Sequence, residues 1–373
     1  MPIKTFLILG GYGAAGLPTA RLLLEHTQAR VIVAGRNRQK AQETAVMLNA
    51  QFPGARARAL RVDAADPESL AAAFAQCDMV VICSTTVHCA QQIARAALFA
   101  GIDYLDIYYS PKAALALNAL RPAIESAGRC FITQAGCHPG LPAALVRYAA
   151  PQFSRLRRAV VAMAVSTRMI GSTASVRELL EEIRDYKAEV FRGGQWRKAG
   201  YGDAIKIDFG PEFGVRLCYP MQLEEMRALP ERLGLEELGL YAAGFNWFVD
   251  YIVFPLTMLL AKTRRRFIMR FLARLFIWGM STFSRPPFGI VFKLEAEGEK
   301  DGTDHSLQVT VCHQDGYMLT AIPTAACLLQ YLDGFIARRG LWLMAHAVDP
   351  ARLLADMRRM GATIHLWPTG TAP

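Results

Sequence analysis

The sequence predicts an α/β fold, a doubly wound parallel sheet with helices on both faces, carrying an inserted α+β domain. Three observations predict it. Short apolar runs alternate with helix-length patterns through the first 135 residues, and three spaced glycines join the first run to the first helix. Beyond residue 140 the runs lengthen and are joined by charged or glycine turns. Near-continuous apolar strands separated by helices imply a parallel sheet buried on both faces, whereas longer strands with polar turns imply antiparallel pairing.

In chain order, Thr5–Leu9, Val31–Ala34, Ala57–Val62, Met79–Cys83, Tyr104–Ile107 and Cys130–Thr133 read as strands. Leu17–Glu25, Arg38–Asn49, Pro67–Phe74, Ala90–Ala100 and Ala113–Ala127 read as the helices between them. Ala159–Val165 reads as a strand, and Ser172–Tyr186 as a helix opened by small hydroxyl residues that can cap it. AEVFRGGQWRKA gives two strands about Gly193-Gly194, and Phe288–Gly298 and His305–Gln314 flank EKDGTD as a second hairpin. The tail returns to helix over Leu319–Leu332 and Pro350–Met360, the latter capped by Asp349 with Pro350 at its first position, and ends in a strand Thr363–Trp367. The expected division is a first domain over 1–140, an inserted domain over 141–317, and a segment 318–373 returning to the first.

A chain of 373 residues, 53% of them hydrophobic, can bury cores for two domains. Its eight cysteines are scattered without a C-x-x-C pair, so neither a disulfide framework nor a metal site is expected. Met1–Lys4 runs straight into a strand without a secretory pattern, and a cytoplasmic location follows as an expectation. The net charge of +10 is unevenly spread. Between Gly244 and Pro286 seven basic residues face Asp250 alone, in a stretch rich in aromatic and aliphatic residues. That composition points to an anionic membrane surface and away from nucleic acid.

Gly11-Tyr12-Gly13-Ala14-Ala15-Gly16 fits G-x-G-x-x-G between a strand and a helix, where glycines let the backbone approach a pyrophosphate and helix-terminal amides face it. One strand later, where an acid holds the ribose 2′-hydroxyl in NAD-binding chains, this one has Gly35-Arg36-Asn37-Arg38. A guanidinium pairs with a 2′-phosphate that a carboxylate would repel, so NADP is the expected cofactor, held by Arg36 and Asn37. Asp63 is placed to meet the adenine amino group or to cap the following helix. Ser84, Thr85 and Thr86 follow the fourth strand at the carboxyl edge of the sheet, where ligands of such sheets collect.

These pieces resemble the saccharopine dehydrogenase-like family of NADP-binding oxidoreductases. The resemblance rests on LGGYGAAG, VAGRN, VDAAD, VVICSTT, ALFAGIDYLDI and GCHPGLPAAL, in that order. Weaker echoes continue in AEVFRGGQW, YMLTAIPTAACLLQYL and GLWLMAHAVDPARLLADMRRMGA. It implies a Rossmann-type nucleotide domain completed by the C-terminal segment, an inserted substrate domain, and hydride transfer to or from carbon, often at a C–N bond. Saccharopine itself is polar and carries several carboxylates. Here the basic residues beyond the first domain lie among Trp247, Phe248, Tyr251, Phe254, Phe271, Phe276 and Trp278, so an apolar or lipid-like substrate is expected instead. The rival reading is a membrane-associated NADP-binding sensor or scaffold without catalysis.

His138, in Gly136-Cys137-His138-Pro139-Gly140, is the expected proton donor or acceptor, because a histidine titrates near neutrality. Tyr104 and Asp106 end the fifth strand and could orient water or substrate or be structural; Cys137 reads as packing. Tyr108 and Lys112 have the spacing of a short-chain reductase pair, but Pro111 disfavours the helix that such a pair requires. Phe245–Ala261 and Phe267–Phe283 are short for spanning helices. Arg266, Arg270 and Arg274 recur every four residues in the second, the pattern of an in-plane amphipathic helix on the inner face of a membrane. A homodimer interface or a lid fits the same stretch.

Overall fold

The structure is a computed structural model that describes residues 3–167, 173–184, 186–260 and 266–368. The chain divides into two units, residues 1–144 with 317–361, and residues 145–316 with 362–373.

The first unit is built on a seven-stranded parallel sheet. Its strands are β1 (Thr5–Leu9), β2 (Arg30–Gly35), β3 (Ala57–Arg61), β4 (Met79–Ile82), β5 (Asp103–Asp106), β6 (Cys130–Thr133) and β15 (Gly340–Leu343). Their order is β15-β6-β5-β4-β1-β2-β3, so the chain reverses its direction of travel between β1 and β4. The central strands are apolar without alternation because both faces are covered: Phe6, Leu7, Ile8, Val31, Ile32, Val33, Val80, Val81 and Ile82 are all fully buried. The helices are α1 (Gly16–His26), α2 (Arg38–Gln51), α3 (Pro67–Phe74), α4 (Ala90–Ala100), α5 (Pro111–Asn118), α6 (Arg121–Ser126), α7 (Leu141–Ala149, which runs past the division of the chain at Leu145), α12 (Gly316–Leu332), α13 (Met344–Ala347) and α14 (Pro350–Arg359). The single helix expected over Ala113–Ala127 is two, α5 and α6, because Pro122 cannot continue a helix from the preceding turn.

The second unit is a mixed nine-stranded sheet of β7 (Arg155–Ser166), β8 (Ala188–Arg192), β9 (Gln195–Ala199), β10 (Ile205–Asp208), β11 (Val215–Met221), β12 (Glu237–Ala243), β13 (Gly289–Lys300), β14 (Thr303–His313) and β16 (Thr363–Pro368). Its pairings are antiparallel except β12 with β7. Both expected hairpins form: Gly193 and Gly194 have φ of 59° and 79°, and Asp301 and Gly302 have 51° and 78°. β16 lies along β14 from Leu307 to Cys312 and covers what would otherwise be an edge strand. β16 therefore belongs to this sheet, whereas the sequence assigns all of 318–373 to the first domain. α8 (Thr173–Arg184), α9 (Leu229–Leu233), α10 (Phe254–Leu260) and α11 (Arg266–Phe283) complete the unit. The expected capping residue Ser172 lies outside the described residues.

Candidate functional site

Because all seven strands run parallel, every loop that follows a strand of the first sheet emerges on one edge. The crevice of such a sheet opens where the strand order reverses, here between β1 and β4. The β1–α1 loop fills it. Gly10 has φ +87°, and a Cβ there would lie 2.8 Å from the Cys83 carbonyl oxygen and 2.9 Å from Ser84 Cβ. A Cβ on Gly11 would meet the Ile8 carbonyl at 2.9 Å, and one on Gly16 the Gly10 carbonyl at 2.2 Å. Gly10, absent from the expected site residues, thus makes the tight turn; the Gly10-Gly11 doublet was the signal. Gly16 provides the close approach of helix to strand. No side chain caps α1 at Ala15 and no acid stands in its first turn, so its amides and dipole favour an anion. Ala14 and Ala15 keep the turn small. The cradle fits a dinucleotide pyrophosphate.

Tyr12 reaches from this loop to the end of β2. The Asn37 amide donates to the Tyr12 hydroxyl at 3.1 Å, and a Cβ on Gly35 would fall 2.5 Å from that hydroxyl oxygen. Gly35 is therefore glycine because a tyrosine ring lies across it. The Asn37 side chain accepts from the Lys40 amide as the N-cap of α2, so its part is to shape the loop. Arg36 is exposed beside it, and exposed Arg61, registered opposite Gly35, adds a second cation that sequence could not place.

Asp63, half-buried, accepts from the Ala65 amide at 3.0 Å; the N-cap of α3 is Asp66, so Asp63 does not cap that helix. The Cys89 thiol is pushed up by burial first, then by Asp63, and is drawn down by Arg36. The ends of β2 and β3 and the turn after β4 therefore meet at one corner. Ser84 and Thr86 hydroxyls lie 2.9 Å apart, and Thr86 lies 2.8 Å from the Tyr108 hydroxyl, a chain of hydroxyls along the crevice; Thr85 is exposed. Tyr108 precedes the helix that Ser110 caps and Pro111 opens, so it shares no helix with Lys112.

Tyr104 and Asp106 are fully buried and alternate strand positions put them on one face. The Tyr104 hydroxyl donates to Asp106 Oδ2 at 2.8 Å. Asp106 Oδ1 accepts from the Tyr108 amide at 3.0 Å, the Thr133 hydroxyl at 2.9 Å and the Gln134 amide at 3.2 Å. Burial raises this carboxyl to about 6 against the lowering effect of its four donors. Neither side chain reaches the surface, and Asp106 ties the start of the loop after β6 to β5 through Thr133 and Gln134. That loop turns tightly, with φ of 59° at Gln134 and 125° at Gly140, where a Cβ would lie 2.4 Å from the Gly136 carbonyl. His138 stacks on Tyr109 at 5.4 Å, and burial lowers it to about 4. Its imidazole is neutral at neutral pH, which disfavours the imidazolium donor that the sequence also allowed and leaves a weak base. Burial pushes the Cys137 thiol up to about 11, and its sulfur packs 3.4 Å from the Thr320 hydroxyl.

Residues 6–132 match the family described as saccharopine dehydrogenase NADP binding domain. Among solved structures, saccharopine dehydrogenase (L-Glu forming) from Saccharomyces cerevisiae is similar with a TM-score of 0.71 at 15% identity, over 98% of this chain and 100% of that one. A myo-inositol dehydrogenase from Corynebacterium glutamicum matches at 0.48 and 11% identity, over 99% of this chain and 100% of that one. No curated protein matches the sequence. The likeness to the yeast enzyme shows the fold, and the match over residues 6–132 supports a nicotinamide dinucleotide cofactor.

Proposed function

From the match of residues 6–132 to a saccharopine dehydrogenase NADP binding domain and the fold shared with the yeast enzyme, we propose that the chain is a saccharopine dehydrogenase-like, NADP(H)-dependent oxidoreductase acting on an apolar or lipid-like substrate. The observation that carries the reading is the glycine cradle beside an acid-free, arginine-bearing β2 end. Gly10, Gly11, Gly13 and Gly16 with the start of α1 would hold the pyrophosphate, and Arg36 the 2′-phosphate. The nicotinamide, when bound, supplies hydride exchange with a C=N, C=C or C=O carbon. Ser84 and Thr86 offer donors and acceptors at the crevice, and neutral His138 is the candidate proton acceptor. The apolar substrate class is supported by the aromatic company of the basic residues in the second unit.

Titrating the protein with NADPH and NADH should quench tryptophan fluorescence with a clear preference for NADPH. Equal affinity for the two would sink the NADP reading. Binding without oxidation across extracted lipids and imines would favour the non-catalytic sensor.

Tyr12 should set the preference indirectly. Tyr12→Phe removes the acceptor of the Asn37 amide, a hydrogen bond worth about 0.5–1.5 kcal/mol. NADPH affinity should fall by up to about tenfold while NADH affinity holds, because only the 2′-phosphate loop loosens. An equal loss for both nucleotides would place Tyr12 elsewhere in the binding.

A further inference from the structure

An ordinary surface helix turns a polar face to water. α11 does not. Its inner stripe, with Met269, Leu272, Ala273, Phe276 and Met280, packs on Val249 and Val253 and on Val176 and Leu180 of α8. Its outer stripe exposes Phe267, Arg270, Phe271, Arg274 and Trp278. These positions recur at helical spacing, so arginines and aromatics share one face. The preceding segment, residues 247–259, shows a matching stripe, with Trp247 at 56%, Tyr251 at 69% and Leu259 at 70% exposure. The two stripes join at one end, where Trp247, Phe248, Trp278 and Phe283 pack ring to ring at 4.9–5.6 Å. Gly279 permits that junction, because a Cβ there would lie 2.4 Å from the Phe248 ring.

Charge decides what covers the patch. The lone acid between residues 245 and 283 is Asp250, which turns away to accept from the Phe245 amide at 2.9 Å. In a two-fold contact between copies, Arg270 and Arg274 would meet the same patch with no carboxylate from these helices to answer them. Among the described residues no helix is long and apolar enough to cross a membrane. We propose that the α10–α11 face lies flat on an anionic lipid bilayer, its exposed aromatic rings in the interface and Arg270 and Arg274 against the headgroup phosphates. This goes beyond the cofactor chemistry and stands without it.

The test uses the full chain, without nucleotide, and vesicles of phosphatidylcholine alone or mixed with phosphatidylserine. The protein should sediment with the mixed vesicles only, be released by salt, and show a blue shift of tryptophan emission on binding. Arg270→Gln with Arg274→Gln should weaken partitioning by about 30-fold, at about tenfold or less per charge. Phe271→Ser should abolish the emission shift. All three positions are exposed, and an unchanged melting curve confirms the variants' fold. Retention in the supernatant with both vesicle types would overturn the proposal, as would binding that the variants leave untouched. Elution as a dimer that Phe271→Glu splits would assign the face to a second copy instead.

Discussion

Asp106→Ala should cost the protein about 3–5 kcal/mol, a large share of the stability of a domain. The reason is arithmetic of donors. Tyr104 Oη, Thr133 Oγ1 and the amides of Tyr108 and Gln134 all donate to this one fully buried carboxylate. Each buried donor left unsatisfied costs about 1–3 kcal/mol, so two of the four suffice. Asp106→Asn keeps an acceptor and should cost less. The same residue predicts a pH dependence. Its folded value of about 6 lies above its ordinary value, so both states are protonated in strong acid and no penalty acts there. As pH rises from about 4 to about 6 the unfolded chain ionises first, and stability falls. His138 works in the opposite sense. Its folded value of about 4 lies below its ordinary value, so stability falls as pH drops from about 6.5 towards 4. The two slopes oppose each other across a common window, each spanning about 3 kcal/mol. Denaturant midpoints should therefore change little with pH there on account of this pair, whereas Asp106→Asn should uncover a midpoint that climbs with pH. Parallel pH curves for wild type and Asp106→Asn would show that the carboxyl does not carry the assigned proton.

The first sheet was legible because burial on both faces leaves a strand no polar alternation, as Phe6–Leu9 and Val31–Ala34 illustrate. β10, β11 and β12 were not legible. Val215–Met221 mixes Arg216, Pro220 and exposed Leu217 on the outer part of a sheet, and such a segment has no run to recognise. β15 is four residues long and is a strand only because Cys130–Thr133 lies beside it. The site divides in the same way. Glycine spacing marked the phosphate loop, but which glycine takes the positive φ depends on the approach of Cys83, a partner from another strand. Tyr12 occupied a variable place in the motif, and only the path of β2 gave it work. Of the two polar residues expected at the end of the fifth strand, Asp106 ends β5 and Tyr104 lies within it. Their direction, into the interior, belongs to packing against Phe131 and the loop after β6.

Arg36→Asp should invert the cofactor preference. Cations outnumber acids at the end of β2: Arg36 and Arg38 are exposed, Arg61 lies across from Gly35, and α2 begins with no acid in its first turn, against Asp63 at the neighbouring end of β3. A 2′-phosphate meeting Arg36 gains a charge-assisted pair worth about 1.5–3 kcal/mol, or about 10- to 100-fold in affinity. Aspartate removes that pair and adds a repulsion, so NADPH should weaken by on the order of 100-fold or more. NADH, whose 2′-hydroxyl can donate to a carboxylate, should bind at least as well as before. Because position 36 is exposed, the wild-type preference should shrink as salt screens the attraction, and the variant's reversed preference should shrink as salt screens the repulsion. Arg61→Gln serves as the control for general charge: it should lower NADPH affinity by a few-fold at most, since an unpaired surface cation contributes about 1 kcal/mol or less. If Arg61→Gln and Arg36→Asp prove equally damaging, the site attracts phosphate only by its overall field. If Arg36→Asp leaves the NADPH-to-NADH ratio where it was, the 2′-phosphate is held somewhere else and Arg36 is a solvated residue before a helix.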